Sequence, residues 1–179
     1  TRPVIVGKHH VALDGAGATL YASRLVSADG AGTVWKIALP AFAQAQAIDL
    51  PLDTTSPDSG TAARGLPNYV AALAADQSGT TLWYGGKKDN VLRGVFREGQ
   101  ALTFETSLRS LLGRIDATGA AEQVAARMDI DNAGRVSGLL AAPGASHLFA
   151  ALETNHEVLV VDPWNRAVLA RLETGMGPR

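Results

Sequence analysis

Cysteine is absent from this 179-residue chain, which excludes disulfides, thiolate-built zinc sites, thiol nucleophiles and covalent c-type haem attachment within it. Charge is sparse as well: 18% of residues are charged and the formal net charge is -1. There is thus no basic excess to attract nucleic acid or an acidic membrane surface. Aromatic residues make up only 6%, so Trp35, Trp83 and Trp164 are expected to pack strands or turns rather than form a stacking platform. No apolar run reaches the roughly 20 residues that a membrane-spanning helix needs. The longest candidate, Val136 to Leu152, is broken by Pro143-Gly144 and contains His147. Thr1-Arg2-Pro3 is not an initiator and no signal peptide precedes it, so the chain is expected to be a processed or trimmed product.

Several catalytic signatures are missing too. There is no Gly-x-Ser-x-Gly elbow and no phosphate loop. Gly15-Ala16-Gly17 runs into Ala18-Thr19-Leu20 without the third glycine of a dinucleotide fingerprint. No catalytic residue, metal site or cofactor is expected in this segment.

What the chain has is 46% hydrophobic residues, a globular composition, and an internal repeat. VALDGAGATLYAS from Val11, VAALAADQSGTTLWYGG from Val70 and VSGLLAAPGASHLFAAL from Val136 share one pattern. Each is an apolar stretch, a glycine-containing turn and a second apolar stretch with a Leu-aromatic pair: Leu20-Tyr21, Leu82-Trp83 and Leu148-Phe149. Asp14-Gly15, Ser78-Gly79 and Pro143-Gly144 suit tight turns. Further strands are expected at 33–37 and 157–161, with the last unit turning through Asp162-Pro163-Trp164-Asn165 into 167–172.

Four short antiparallel strands in about 40 residues match one blade of a β-propeller. The expected fold is therefore all-β: about three four-stranded antiparallel blades, with boundaries at about 4–53, 67–131 and 132–174. Residues 54–66 form the expected linker, an insertion falls near 95–107, and 175–179 lead toward a missing blade. Leu108, Leu111, Leu112 and Ile115 also sit at helical spacing, with Thr106 or Ser107 as a cap. The repeat context favours a strand from Leu111, followed by a fourth strand over 123–128. Because a propeller closes with roughly four to eight blades, the segment is expected to be a fragment of a larger ring, completed by the parent chain or a self-associated copy.

The unit EVLVVDPWNRAVLARLETGMGPR resembles the YVTN-type β-propeller repeat of exported bacterial and archaeal proteins: a strand ending in Asp, a short turn, a Val/Ala-rich strand, then Gly-x-x-Pro-Arg. ARGLPNYVAALAADQSGTTLWYGGKKDNVLRG and RMDIDNAG resemble the subgroup of such propellers encoded with, or fused to, di-haem cytochrome c peroxidase-like proteins. The resemblance implies a non-catalytic, periplasmic or extracellular module that binds a protein or small ligand and docks a haem partner such as a c-type cytochrome. The competing expectation is a lactonase-like or dehydrogenase-like enzyme with a central metal or cofactor, to which Asp131 and Glu153 would contribute.

Blade topology places the connections between second and third strands on the same face as those between blades. On that face fall Lys8-His9-His10, Arg64 to Asn68, Lys87-Lys88-Asp89-Asn90 with Arg93, Asp131-Asn132 and Glu153 to His156. Loops on a rigid scaffold commonly carry recognition, so Arg64, Asn68, Lys88, Arg93, Asp131, Asn132, Glu153 and His156 are the candidate contact residues. Lys88 and Arg93 suit a carboxylate or an acidic patch, while Asp89-Asn90 suits a turn. His9 and His10 are expected on opposite faces of a strand, which disfavours a shared metal. Asp129 to Gly134 fails as an EF-hand, with Ala133 and Leu140 where oxygen ligands belong.

Overall fold

The computed structural model describes residues 9–28, 30–42, 45–90, 96–97, 100–101, 103–130 and 133–179. Three antiparallel sheets follow one another along the chain. The first contains β1 (His9–Leu13), β2 (Thr19–Arg24), β3 (Ala31–Ala38) and β4 (Ala45–Pro51), in that order. The second opens with β5 (Leu66–Ala75) and β6 (Thr81–Asp89). A small hairpin of β7 (Phe96–Arg97) and β8 (Gln100–Ala101) and one helical turn, α1 (Phe104–Ser107), then lead into β9 (Leu108–Asp116). Its outer edge is split between β10 (Ala121–Glu122) and β11 (Met128–Ile130), both paired with β9. The third sheet runs β12 (Val136–Ala141), β13 (Leu148–Leu152), β14 (Glu157–Asp162) and β15 (Ala167–Glu173).

The helical spacing of Leu108, Leu111, Leu112 and Ile115 is overridden. Only 104–107 is helical, and the strand begins at Leu108, three residues before the expected start. Leu111 and Ile115 face the first sheet and Leu112 the third, so apolar residues are needed on both sides of this strand. The expected fourth strand over 123–128 is also corrected. A 3-10 turn over Val124–Ala126 interrupts it, leaving pairing at 121–122 and 128–130.

The first hairpin turn of each sheet has one design. Asp14, Asp76 and Ala142 donate their amides to the carbonyls of Thr19, Thr81 and His147 and accept from the amides of Gly17, Gly79 and Ala145. The fourth residue of each turn has positive φ: 67° at Gly17, 73° at Gly79 and 53° at Ala145. In the first turn the glycine that this geometry requires is thus Gly17, not Gly15.

The middle sheet is covered on both faces, which explains its near-continuous apolar strands. Leu82 and Tyr84 point into the core shared with the first sheet, together with Tyr21, Val34, Ile48 and Leu111. Trp83 points the other way, into the core shared with the third sheet, beside Val136, Leu148, Leu152 and Leu159. The repeated Leu-aromatic pair therefore works as a pair of opposed plugs, leucine toward the preceding sheet and aromatic toward the following one. Trp164 closes the turn after β14 against Trp83, edge to face at 6.1 Å between ring centroids, and donates its indole N–H to the Ala145 carbonyl.

The two outward faces carry the same kind of residues, and their large side chains at the sheet edges are exposed. On the first sheet the cross-strand rows Leu13-Leu20-Ile37-Ala45 and Val11-Ala22-Trp35-Ala47 lie on the face opposite the shared core, with Ala22 and Ile37 buried and Val11 and Leu13 exposed. On the third sheet the rows are Leu140-Phe149-Val160-Ala170 and Ala151-Val158-Leu172. Val11 and Leu140 are each 64% exposed.

Candidate functional site

The connections β2–β3, β6–β9 and β13–β14 share one face with the links between sheets, here called the upper face. Its scaffold is a buried ion cluster. The Lys88 ammonium lies 3.2 Å from Asp53 Oδ2 and 2.8 Å from Asp129 Oδ2. Lys88 is only 3% exposed, so its charge is balanced by carboxylates instead of water. Asp53 also accepts the amides of Thr55 and Ser56 and the Ser56 hydroxyl. Burial alone would raise the Asp53 pKa, but these hydrogen bonds and the Lys88 charge hold it well below the usual carboxylate range.

The same cluster fastens the long link between the first two sheets. Asp53 and Gly65 exchange two backbone hydrogen bonds of 2.9 Å, closing residues 53–65 into a loop. Asp129 Oδ2 accepts the Ala63 amide at 3.1 Å, and the Arg109 guanidinium donates to the Gly60 carbonyl. Inside the loop Arg64 and Asp58 pair at 3.0 Å.

Farther out, Tyr84 crosses over Gly113, where any side chain would strike its ring, and donates its hydroxyl to Glu122. Arg127 chelates both Glu122 oxygens at 2.7 Å and donates to the Pro51 carbonyl, tying the second sheet to the end of the first. A cleft of about 370 Å³ is walled by this network and the loop. Its principal charges are engaged in holding the fold.

A second opening differs. Between the second and third sheets, a groove of about 520 Å³ is lined by Tyr69, Lys87, Leu108, Arg135, Glu153 and Thr154. Strand alternation explains its charge, since Lys88 shares a face with Tyr84 and turns inward, whereas Lys87 shares the Trp83 face and turns toward the third sheet. Among the described residues the Lys87 side chain makes no hydrogen bond or salt bridge. Burial, and then the neighbouring Arg135 charge, push its pKa below the ordinary lysine value, with Asp89 opposing. Arg135 pairs with Glu153 at 2.7 Å, and Arg179 reaches the other Glu153 oxygen at 2.7 Å.

Tyr69 enters the groove from a β-bulge. The register of β5 against β6 shifts between Asn68 and Ala72, and Tyr69 has a φ of 48°, a strained conformation for a bulky residue. Asn68 fixes it by accepting the Tyr69 amide at 2.9 Å and the Ser27 amide at 2.8 Å. Gly86 makes room, since a Cβ there would stand 2.8 Å from the Asn68 carbonyl oxygen. Tyr69 is left 37% exposed.

The sequence-selected residues thus separate. Glu153 lines the groove. Lys88 is buried in the ion cluster, Asn68 holds the bulge, and Arg64 clasps the loop. His156 sits in the β13–β14 turn at a φ of 57° and accepts the Gly177 amide at Nδ1. Arg93, Asp131 and Asn132 lie outside the described residues, as does Lys8. His9 and His10 lie on β1, and among the described residues no group of three or more histidine or acidic side chains is placed to hold a metal. Residue type and loop position do not single out Lys87, Tyr69 and Arg135. The parity linking Leu82, Tyr84 and Lys88 is the signal that separates Lys87 from Lys88.

No protein-family profile and no curated protein matches the chain. Solved structures do. The chain superposes on Kuenenia stuttgartiensis hydrazine synthase with a TM-score of 0.62 and 13% identity, over 94% of this chain and 50% of that one. For U3-55K the values are 0.60 and 12%, over 93% and 39%. For the RRP9 WD40 repeats they are 0.59 and 12%, over 93% and 38%. At such identities the likeness defines the fold: these are β-propeller blades. The chain spans half or less of the length of these three propeller structures.

Proposed function

We propose that the chain is part of an exported β-propeller that acts as a non-catalytic binding module, with its upper face as the recognition surface and a c-type cytochrome as partner. The observation that carries the recognition surface is the groove beside Lys87, where a half-buried cation has no salt bridge among the described residues. Recognition on loops displayed by a rigid sheet scaffold is the common use of this architecture. Export to the periplasm or cell exterior and the haem partner rest on the YVTN-type character of residues 157–179 and the peroxidase-associated character of the segment around Lys87 and Lys88. Exposed apolar side chains on the outward faces, Val11 and Leu13 on the first sheet and Leu140 and Leu172 on the third, support further blades packing there, since apolar surface of this kind is normally covered.

The test is an NMR titration of the isotope-labelled chain with a soluble c-type cytochrome. Shift changes confined to upper-face amides such as Lys87, Arg135 and Thr154 are expected. No binding, or changes confined to the lower-face turns at Asp14, Asp76 and Asp162, would overturn the proposed docking. Hydrolase or dehydrogenase turnover by the purified chain would overturn the non-catalytic reading.

A further inference from the structure

The groove's chemistry narrows what it takes. Lys87 and Arg135 supply two cations, and Glu153 offsets one of them through its 2.7 Å pair with Arg135. With Arg179 sharing Glu153 and Asp89 acting on Lys87, three cations face two carboxylates, which leaves an excess of one positive charge; among the described residues the Lys87 side chain has no salt bridge. Glu153 also disfavours a dense polyanion, because phosphates would be brought against a carboxylate. The rest of the wall is mixed: Leu108 and the exposed ring of Tyr69 give apolar surface, and Thr154 gives a hydroxyl. A volume of about 520 Å³ falls in the range that admits a small organic ligand or a few peptide residues.

Two features show that this arrangement is built into the fold. The Tyr69 ring is presented by a strained bulge that Asn68 and Gly86 sustain. Lys87 stands next to a residue locked in the buried ion cluster, so the strand beneath it is anchored.

We infer that the groove between the second and third sheets binds a single carboxylate on an acidic peptide segment, with Lys87 pairing the carboxylate and Tyr69 and Leu108 covering the adjoining apolar side chain. The inference rests on the upper face being a recognition surface and is independent of which protein supplies the segment.

The probes are acetyl-Leu-Glu-Leu-amide, its Leu-Gln-Leu counterpart and inorganic phosphate, titrated separately into the labelled chain. The Glu peptide is expected to shift the Lys87, Leu108 and Thr154 amides and to bind about tenfold more tightly than the Gln peptide, the effect of one charge-assisted hydrogen bond. Lys87→Gln should abolish that preference and Lys87→Arg should restore most of it. Tyr69→Ala, checked for retained fold by its spectrum, should weaken both peptides. Equal affinity for the two peptides overturns the inference. So does phosphate binding the same amides more tightly than the Glu peptide, which would mark a simple anion site. If the peptide binds and the cytochrome does not, only the proposed partner fails; if the cytochrome binds the upper face and the peptide does not, only this inference fails.

Discussion

Lys87 and Lys88 are consecutive on β6, yet Lys88 sits 2.8 Å from Asp129 in a buried ion cluster while Lys87 opens onto a groove on the other side of the sheet. Successive side chains of a strand point to opposite faces, so two identical residues receive opposite roles: one holds the loop over 53–65 and the other is left available. Their substitutions should separate stability from binding.

Lys88→Met should destabilise the chain by about 3–5 kcal/mol, because Asp53 and Asp129 would be left as buried carboxylates without their cation. Adding Asp53→Asn and Asp129→Asn should recover part of that loss. Lys87→Met should change stability by no more than about 0.5 kcal/mol. Urea unfolding of the four proteins checks this ordering, and equal losses for the two lysine variants would contradict it.

Two glycines should respond for different reasons. Gly17 has a φ of 67° and open space around its missing Cβ, so Gly17→Ala isolates the backbone term and should cost about 1–2 kcal/mol. A Cβ on Gly85 would overlap Val136 of the third sheet. Gly85→Ala should therefore overpack that interface and cost about 1–3 kcal/mol. Thermal or urea melts measure both, and the Gly85 variant alone should also disturb the near-ultraviolet signal of Trp83, which belongs to the same core.

Stability should depend on pH at both extremes. Burial, and next the Glu122 charge, raise the Tyr84 pKa well above the ordinary value. The folded chain keeps a proton that the unfolded chain releases above about pH 10, so this contribution is present below that pH and is lost as pH rises through the folded pKa. The urea midpoint should fall more steeply between about pH 9 and pH 11 for the native chain than for Tyr84→Phe. For Asp53 the sign reverses. Its folded pKa is depressed, so its contribution is present above about pH 4 and is lost as pH falls through and below that value. The gap between the native chain and Asp53→Asn should accordingly narrow on acidification.

The outward apolar rows should make the chain associate. Leu140-Phe149-Val160-Ala170 on the third sheet and Leu13-Leu20-Ile37-Ala45 on the first match the kinds of residues that pack between sheets inside the molecule. Light scattering should give a mass above that of the 18.6 kDa monomer at micromolar concentration. Phe149→Glu with Leu140→Glu should return it toward the monomer. A native chain that is monomeric and fully soluble at high concentration would count against the need for covering blades.

Much of the fold is legible in the linear pattern. The repeats from Val11, Val70 and Val136, their turn glycines and their Leu-aromatic pairs locate the opening hairpin of each sheet, because strand alternation and turn geometry are local constraints that residue type expresses directly. The stretch around Leu111 is harder: residues packing on both faces of a strand lose the two-residue alternation and mimic helical spacing. Likewise nothing local marks the interruption at Val124–Ala126, since it depends on how the outer edge of the second sheet meets Arg127, Glu122 and the Pro51 carbonyl.

The site divides in the same way. Sequence determined that the loops at Arg64 to Asn68, Lys87 to Asn90 and Glu153 to His156 belong to one face, because an up-and-down strand order fixes which connections lie together. Only the tertiary structure decided that Lys88 is consumed by Asp53 and Asp129 while Lys87, Tyr69 and Arg135 meet in a groove. Those partners lie tens of residues apart along the chain, and packing sheet on sheet, rather than any local preference, sets which charges neutralise one another and which face remains open.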